Sequence, residues 1–90
     1  MTRRPLPLTD DLHDYMLAHS SPEDPVLARL AAETAGEYAA AAVMQIGADQ
    51  GTLLTLLAAT VAPRLAVEVG TFTGYSAICL ARGLAPGGRL

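Results

Sequence analysis

The sequence predicts an α/β chain in which a helical lead-in runs into the first strand, loop and helix of a parallel sheet. Residues 10–61 carry apolar side chains at helical spacing, with capping residues at the breaks. Leu65-Ala66-Val67-Glu68-Val69 is a short apolar run with branched residues between Pro63 and Gly70, the pattern of a strand buried on both faces. Gly70-Thr71-Phe72-Thr73-Gly74 then separates that run from a second helical pattern.

Each element follows from local chemistry. Thr9 precedes Asp10 and Asp11 in a first turn, and Leu8, Leu12, Tyr15 and Met16 share one face, which predicts a helix over Asp10–His19 with His19 at its favourable C-terminal end. Ser20, Ser21 and Pro22 break it. Ser21 as N-cap, Pro22 at the first helical position and Asp24 three residues after the cap predict the next helix, with Leu27, Leu30, Ala31 and Thr34 as its buried stripe. An end or bend is expected near Gly36, and Glu37–Val43 stays open between a short helix and irregular chain. Asp49 is the expected cap of a third helix running through Leu53, Leu54, Leu56 and Leu57 to about Val61, where Pro63 stops it. Tyr75–Arg82 form a fourth helix closed by Gly83, the turn Pro86-Gly87-Gly88 follows, and Arg89-Leu90 open a second strand. The residues 1–90 are therefore expected to be the N-terminal part of a single domain, with the helical lead-in at 1–62 and the first strand, glycine loop and helix at 64–83. Such a stretch leaves its leucine-rich helix and strand without most of their covering layers and is expected to be molten or aggregated on its own.

Composition narrows the function classes. Ninety residues, 51% hydrophobic and 17% charged, with a mean hydropathy of +0.31, describe a core-forming chain too apolar for disorder and without the ~20-residue apolar run of a membrane span. A net charge of −3 argues against a nucleic-acid partner held by phosphate contacts. The single cysteine, Cys79, excludes an internal disulfide and completes no zinc-ligand spacing, and it reads as a small core residue. Arg3 and Arg4 are followed by Pro5, Pro7, Asp10, Asp11 and Asp14 where a secretory leader needs an apolar run, so a cytoplasmic location is expected.

Chemistry concentrates in Val67–Ser76. A carboxylate near the carboxyl end of a buried strand, a glycine-bounded loop and a helix start together place backbone amides and one acid at the crevice where open parallel sheets bind ligands. Gly70 allows a tight exit from the strand, Gly74 is expected to let the helix start pack closely, Glu68 can accept hydrogen bonds from a polar or cationic group, and the Ser76 hydroxyl sits in the first helical turn. Phe72 stands where a dinucleotide fingerprint needs its second glycine, and the loop lacks the lysine of a P-loop. Basic residues are absent from Ala66 to Ala81, so the site suits a ligand that is neutral or positive at its reactive centre, such as a sulfonium. S-adenosylmethionine meets that description.

Met44-Gln45-Ile46 followed by Asp49-Gln50-Gly51, together with Glu68-Val69-Gly70-Thr71-Phe72-Thr73-Gly74-Tyr75-Ser76, resemble the cation-dependent O-methyltransferases related to caffeoyl-CoA and catechol O-methyltransferases, particularly their bacterial members. The resemblance spans about Leu27 to Leu90, and the pattern E-[IV]-G-x-x-x-G-Y-S is far narrower than a generic glycine loop. It implies a Rossmann-like S-adenosylmethionine-dependent methyltransferase fold, of which this stretch holds the N-terminal helices and the first strand-loop-helix unit. It further implies that Ile46, Glu68, Gly70, Thr71 and Ser76 line the cofactor, with Phe72, Gly74 and Tyr75 shaping the same wall. Thr52 departs from the glutamine common at its position. The family's divalent cation, expected to be magnesium, orients two adjacent substrate oxygens and lowers the pKa of the attacking hydroxyl. The resemblance puts its ligands, and the acidic residue for the ribose hydroxyls, beyond residue 90, so no catalytic or metal-binding residue is assigned within the chain.

Plainer roles compete with these. Glu68 can be a strand-end carboxylate satisfied by backbone amides and Ser76 a helix-start hydroxyl. Met16, Tyr38 and Met44 read as core, and His13 and His19 as solvated helix residues. Transfer of a methyl group to a hydroxyl of a small, catechol-like molecule is the leading function, without nucleic-acid or membrane partners and with a homodimer left open. The alternatives are another Rossmann-like nucleotide-cofactor enzyme and a non-catalytic helical interaction module.

Overall fold

A computed structural model describes residues 3–90. In chain order it contains α1 (Asp10–Ala18), α2 (Pro25–Tyr38), a 3-10 segment (Ala39–Met44), α3 (Ala48–Val61) and α4 (Tyr75–Ala81). α1 starts as predicted, with Thr9 Oγ1 accepting a hydrogen bond from the Leu12 amide at 3.3 Å. No residue of α1 is buried, so its expected apolar face stays largely in solvent. His19 closes the helix, its Nδ1 2.8 Å from the Tyr15 carbonyl oxygen and its ring stacked on that of Tyr15.

α2 begins later than predicted. Its N-cap is Asp24 and its first residue Pro25, not Ser21 and Pro22. Both pairs carry the same cap-proline signature, and the carboxylate wins because it is a charged acceptor at the positive end of the helix. Asp24 Oδ1 takes the Val26 amide at 2.9 Å and the Leu27 amide at 3.0 Å, while Oδ2 pairs with Arg82, the C-cap of α4. The helix then passes through Gly36 unbroken, since a glycine costs only about 1 kcal/mol relative to alanine and the anchored Leu27 and Thr34 outweigh it. The ambiguous stretch after it is the last helical turn followed by the 3-10 segment. At α3 the N-cap is Gly47, not Asp49, which sits in the first turn; Gln50 reaches back so that its Oε1 accepts from the Gly47 amide at 3.0 Å.

The core is small. Leu27, Tyr75 and Cys79 are buried together, with Leu30, Ala31, Ile46, Leu54 and Ile78 packed around them. α3 lies against α4, where the Thr55 hydroxyl donates to the Cys79 carbonyl oxygen at 2.9 Å. The approach is tightest at Gly83: a methyl group there would come 2.4 Å from Ala58 Cβ and 2.5 Å from the Ala59 nitrogen. Cys79 is core, as predicted, whereas Tyr38 and Met44 are exposed. The outer side of α3 leaves Leu53, Leu56, Leu57 and Val61 uncovered.

The predicted strand over Leu65–Val69 does not form among the described residues. In its place stands a single parallel bridge between Leu65 and Arg89, made by the Ala66 amide on the Arg89 oxygen at 2.9 Å and the Arg89 amide on the Arg64 oxygen at 2.9 Å. A strand exists only through pairing, and among the described residues of this run only Leu65 has a paired backbone. Val67 and Val69 are consequently 80% and 95% exposed, where burial on both faces was expected. The bridge nonetheless fixes direction. Parallel segments need a crossover, and α4 provides it, which leaves the glycine loop at the carboxyl end of the first segment.

Candidate functional site

The loop between the bridge and α4 depends on left-handed backbone. Gly70 has φ 79°, Phe72 52° and Gly74 103°, and the Gly74 amide closes the turn onto the Thr71 oxygen at 3.1 Å. Gly74 then caps α4 with its carbonyl, accepting the Ile78 amide at 3.0 Å. The expected reason for Gly74, close packing of the helix start, is wrong: a methyl group there would meet nothing within 4 Å, and only its backbone angle demands glycine. Phe72 carries an unfavourable positive φ, and its ring meets that of Tyr38 edge-on, 5.6 Å between centroids.

A cleft of about 280 Å³ lies between this loop, the Met44–Ile46 segment and Leu54 of α3. It gathers Ile46, Glu68, Gly70, Thr71, Tyr75 and Ser76, six of the seven residues singled out from the sequence, and it has no basic residue on its walls. Gly74 sets the loop's path from outside the lining. Glu68 is the residue whose chemistry is incomplete. The Ser76 hydroxyl donates to Glu68 Oε1, while Oε2 is buried and has no hydrogen-bond partner among the described residues. The hydrogen-bond partner of Glu68 is thus the Ser76 hydroxyl, where a plainer reading has backbone amides satisfy the carboxylate. A buried carboxylate oxygen without a donor is unfavourable until a donor arrives.

Tyr75 divides its side chain between two spaces. The residue is 3% exposed and forms part of the cleft, but its hydroxyl donates to Glu23 Oε2 at 2.5 Å, beside a second cavity of about 310 Å³ between the start of α2, α3 and α4. Burial, then the Glu23 carboxylate, push the phenol's pKa well above its ordinary value, so it stays protonated.

Sequence reasoning missed a third set. Thr34 Oγ1 donates to Thr73 Oγ1 at 2.9 Å, and Gln45 Nε2 donates to both hydroxyl oxygens at 3.2 Å. On sequence alone Thr34 is one member of a buried helical stripe and Gln45 part of a motif without a role of its own. The available signal was a hydroxyl in a core-facing position, which must find a partner when buried. Among the described residues no three of His, Cys, Asp and Glu come together as a metal site.

A crevice without a basic residue, holding a carboxylate oxygen that has no partner among the described residues and lying after a parallel-paired segment, stands where α/β proteins bind their ligands. The O-methyltransferase family model matches residues 17–90, and the chain belongs to that family, which implies the Rossmann-like methyltransferase fold. The catechol O-methyltransferase of Mycobacterium tuberculosis (strain ATCC 25618 / H37Rv) is 46% identical over 69 residues, covering 76% of this chain and 30% of its own length. Catechol O-methyltransferase domain-containing protein 1 of Mus musculus is 38% identical over 88 residues, 97% of this chain and 33% of its own. A transmembrane O-methyltransferase of Homo sapiens is 38% identical over 79 residues, 84% of this chain and 26% of its own. The chain thus spans about a third or less of the length of these relatives. Among its described residues no helix is long and apolar enough to cross a membrane.

Proposed function

We propose that the full-length protein is an S-adenosylmethionine-dependent O-methyltransferase that methylates a hydroxyl of a small, catechol-like molecule, and that this chain supplies the methionine end of the cofactor site. The observation that carries the reading is Glu68 Oε2, a buried acceptor without a donor in a cleft that has no cation of its own. The ammonium group of the cofactor's methionine moiety is a donor of the right charge for it. Family membership and the catechol O-methyltransferase relatives support the same reaction class.

When bound, the cofactor supplies a methyl group on a sulfonium, electrophilic toward a hydroxyl oxygen. The chain's own residues bind and orient it. Glu68 accepts the cationic end, Ser76 holds Glu68 in place through Oε1, and Ile46 with the Tyr75 ring gives apolar walls. The divalent cation expected from the resemblance finds no ligand set among the described residues, and no step is assigned to it.

Calorimetry on the full-length protein with S-adenosylmethionine and, separately, NAD tests the reading. Saturable binding of the first alone, with transfer of labelled methyl to a catechol, is expected. Binding of NAD in its place, or of neither, would refute it.

A further inference from the structure

We infer that Thr34, Gln45 and Thr73 form a hydrogen-bonded tie that sets the width of the cofactor cleft, and that Thr34, which does not line the cleft, is a positioning residue for the cofactor. The inference rests on the cofactor reading above and adds a residue to it.

Three separate parts of the chain meet in this tie. Thr34 is on α2, Gln45 lies in the segment next to Ile46, and Thr73 is in the glycine loop. Gln45 and Thr73 belong to opposite walls of the cleft, so a bond between them spans its width directly: Gln45 Nε2 donates to Thr73 Oγ1 at 3.2 Å. That bond alone would leave both side chains free to swing. Thr34 removes the freedom, because its hydroxyl donates to Thr73 at 2.9 Å while accepting from Gln45 at 3.2 Å, which closes a triangle.

Thr34 is only 2% exposed and sits two helical turns beyond Leu27, itself part of the core, so the apex of the triangle is fixed to the rigid body of the molecule. The loop needs such an anchor. Its backbone is held in left-handed angles at Gly70, Phe72 and Gly74, conformations that persist only when the surroundings over-determine them. Within the loop the Gly74 amide on the Thr71 oxygen is a local bond that shapes the turn without placing it against the facing wall. The Phe72 ring, part of the cleft lining, meets Tyr38 through an apolar edge-on contact at half-exposed positions, which is less directional than a hydrogen bond. The polar triangle, anchored at buried Thr34, is therefore what registers the loop, and with it Glu68 and Ser76, against Ile46.

The test compares two substitutions at Thr34 in the full-length protein. Thr34→Val keeps the shape and deletes the hydroxyl; Thr34→Ser keeps the hydroxyl and deletes a methyl group. Thr34→Val should weaken S-adenosylmethionine binding roughly tenfold, the scale of one lost buried hydrogen bond. Thr34→Ser should bind within about twofold of the parent, and Thr73→Val should match Thr34→Val with little further loss in the double variant, because both open the same triangle. In the ligand-free protein, amide hydrogen exchange at Phe72, Thr73 and Gly74 should quicken in both valine variants and not in Thr34→Ser.

Parental affinity in a folded Thr34→Val, or a Thr34→Ser as weak as Thr34→Val, overturns the inference. Faster loop exchange with unchanged affinity also overturns the positioning role. A parent protein that binds no S-adenosylmethionine defeats the cofactor reading instead, and unchanged loop exchange in the valine variants would then defeat the tie on its own terms.

Discussion

Replacing Glu68 with glutamine should move binding and stability in opposite senses. The substitution preserves the shape of the side chain. Its remaining oxygen can keep the hydrogen bond from Ser76, and an amide NH2 takes the place of Oε2, the buried oxygen that has no partner among the described residues. A cationic donor entering the cleft loses a charge-assisted bond of about 1.5–3 kcal/mol, so S-adenosylmethionine should bind the full-length variant roughly ten- to a hundredfold more weakly. The ligand-free protein loses a carboxylate oxygen that is buried without a partner among the described residues, so its melting temperature should hold or rise. Titration calorimetry and differential scanning calorimetry on the same preparation read both quantities. Unchanged affinity in a folded variant would refute the assignment of Oε2 to the cofactor. A clear drop in melting temperature would instead make Glu68 a structural partner of Ser76.

Gly83→Ala should destabilise by about 1–3 kcal/mol in urea unfolding, because its methyl group would meet the backbone of α3 at Ala59 as well as the Ala58 side chain, and neither can turn aside; a neutral result would mean that α3 and α4 are further apart than they stand here. Asp24 is held at about 2, below its ordinary 3.8, first by the hydrogen bond from Arg82 and then by the Leu27 amide. A carboxyl lowered on folding adds stability that is complete above its unfolded pKa and is lost as pH falls through the folded one, so this contribution should fade between about pH 4 and 2. Arg82→Met should raise the Asp24 titration seen by NMR toward its ordinary value, and an Asp24 that already titrates there in the parent would show the pair to be unformed in solution.

What could be read from the chain alone was local or motif-borne. Thr9 as a cap, Pro63 as a stop and the need for glycine at position 70 follow from backbone chemistry within a few residues, whereas the left-handed angle that demands glycine at 74 emerged only in the structure. The gathering of Ile46, Glu68 and Ser76 was legible because the loop-helix pattern constrains the last two and the resemblance supplied the first. Where two local signals were equal, the sequence could not choose. Ser21-Pro22 and Asp24-Pro25 both read as helix starts, and Arg82, distant in the chain, helps settle on Asp24.

The strand shows the same division. An apolar branched run predicts capacity for pairing, but pairing needs a second backbone, and here only Leu65 finds one, at Arg89. Glu68 could be named from its position, yet its unpartnered oxygen is a property of everything folded around it. Thr34 was invisible as more than a member of a helical stripe, because its partners lie 11 and 39 residues away in sequence. Backbone preference and capping act between neighbours and so are written in order along the chain. Burial, the satisfaction of polar groups and the width of a cleft depend on residues that meet only after folding, and those the tertiary structure alone decided.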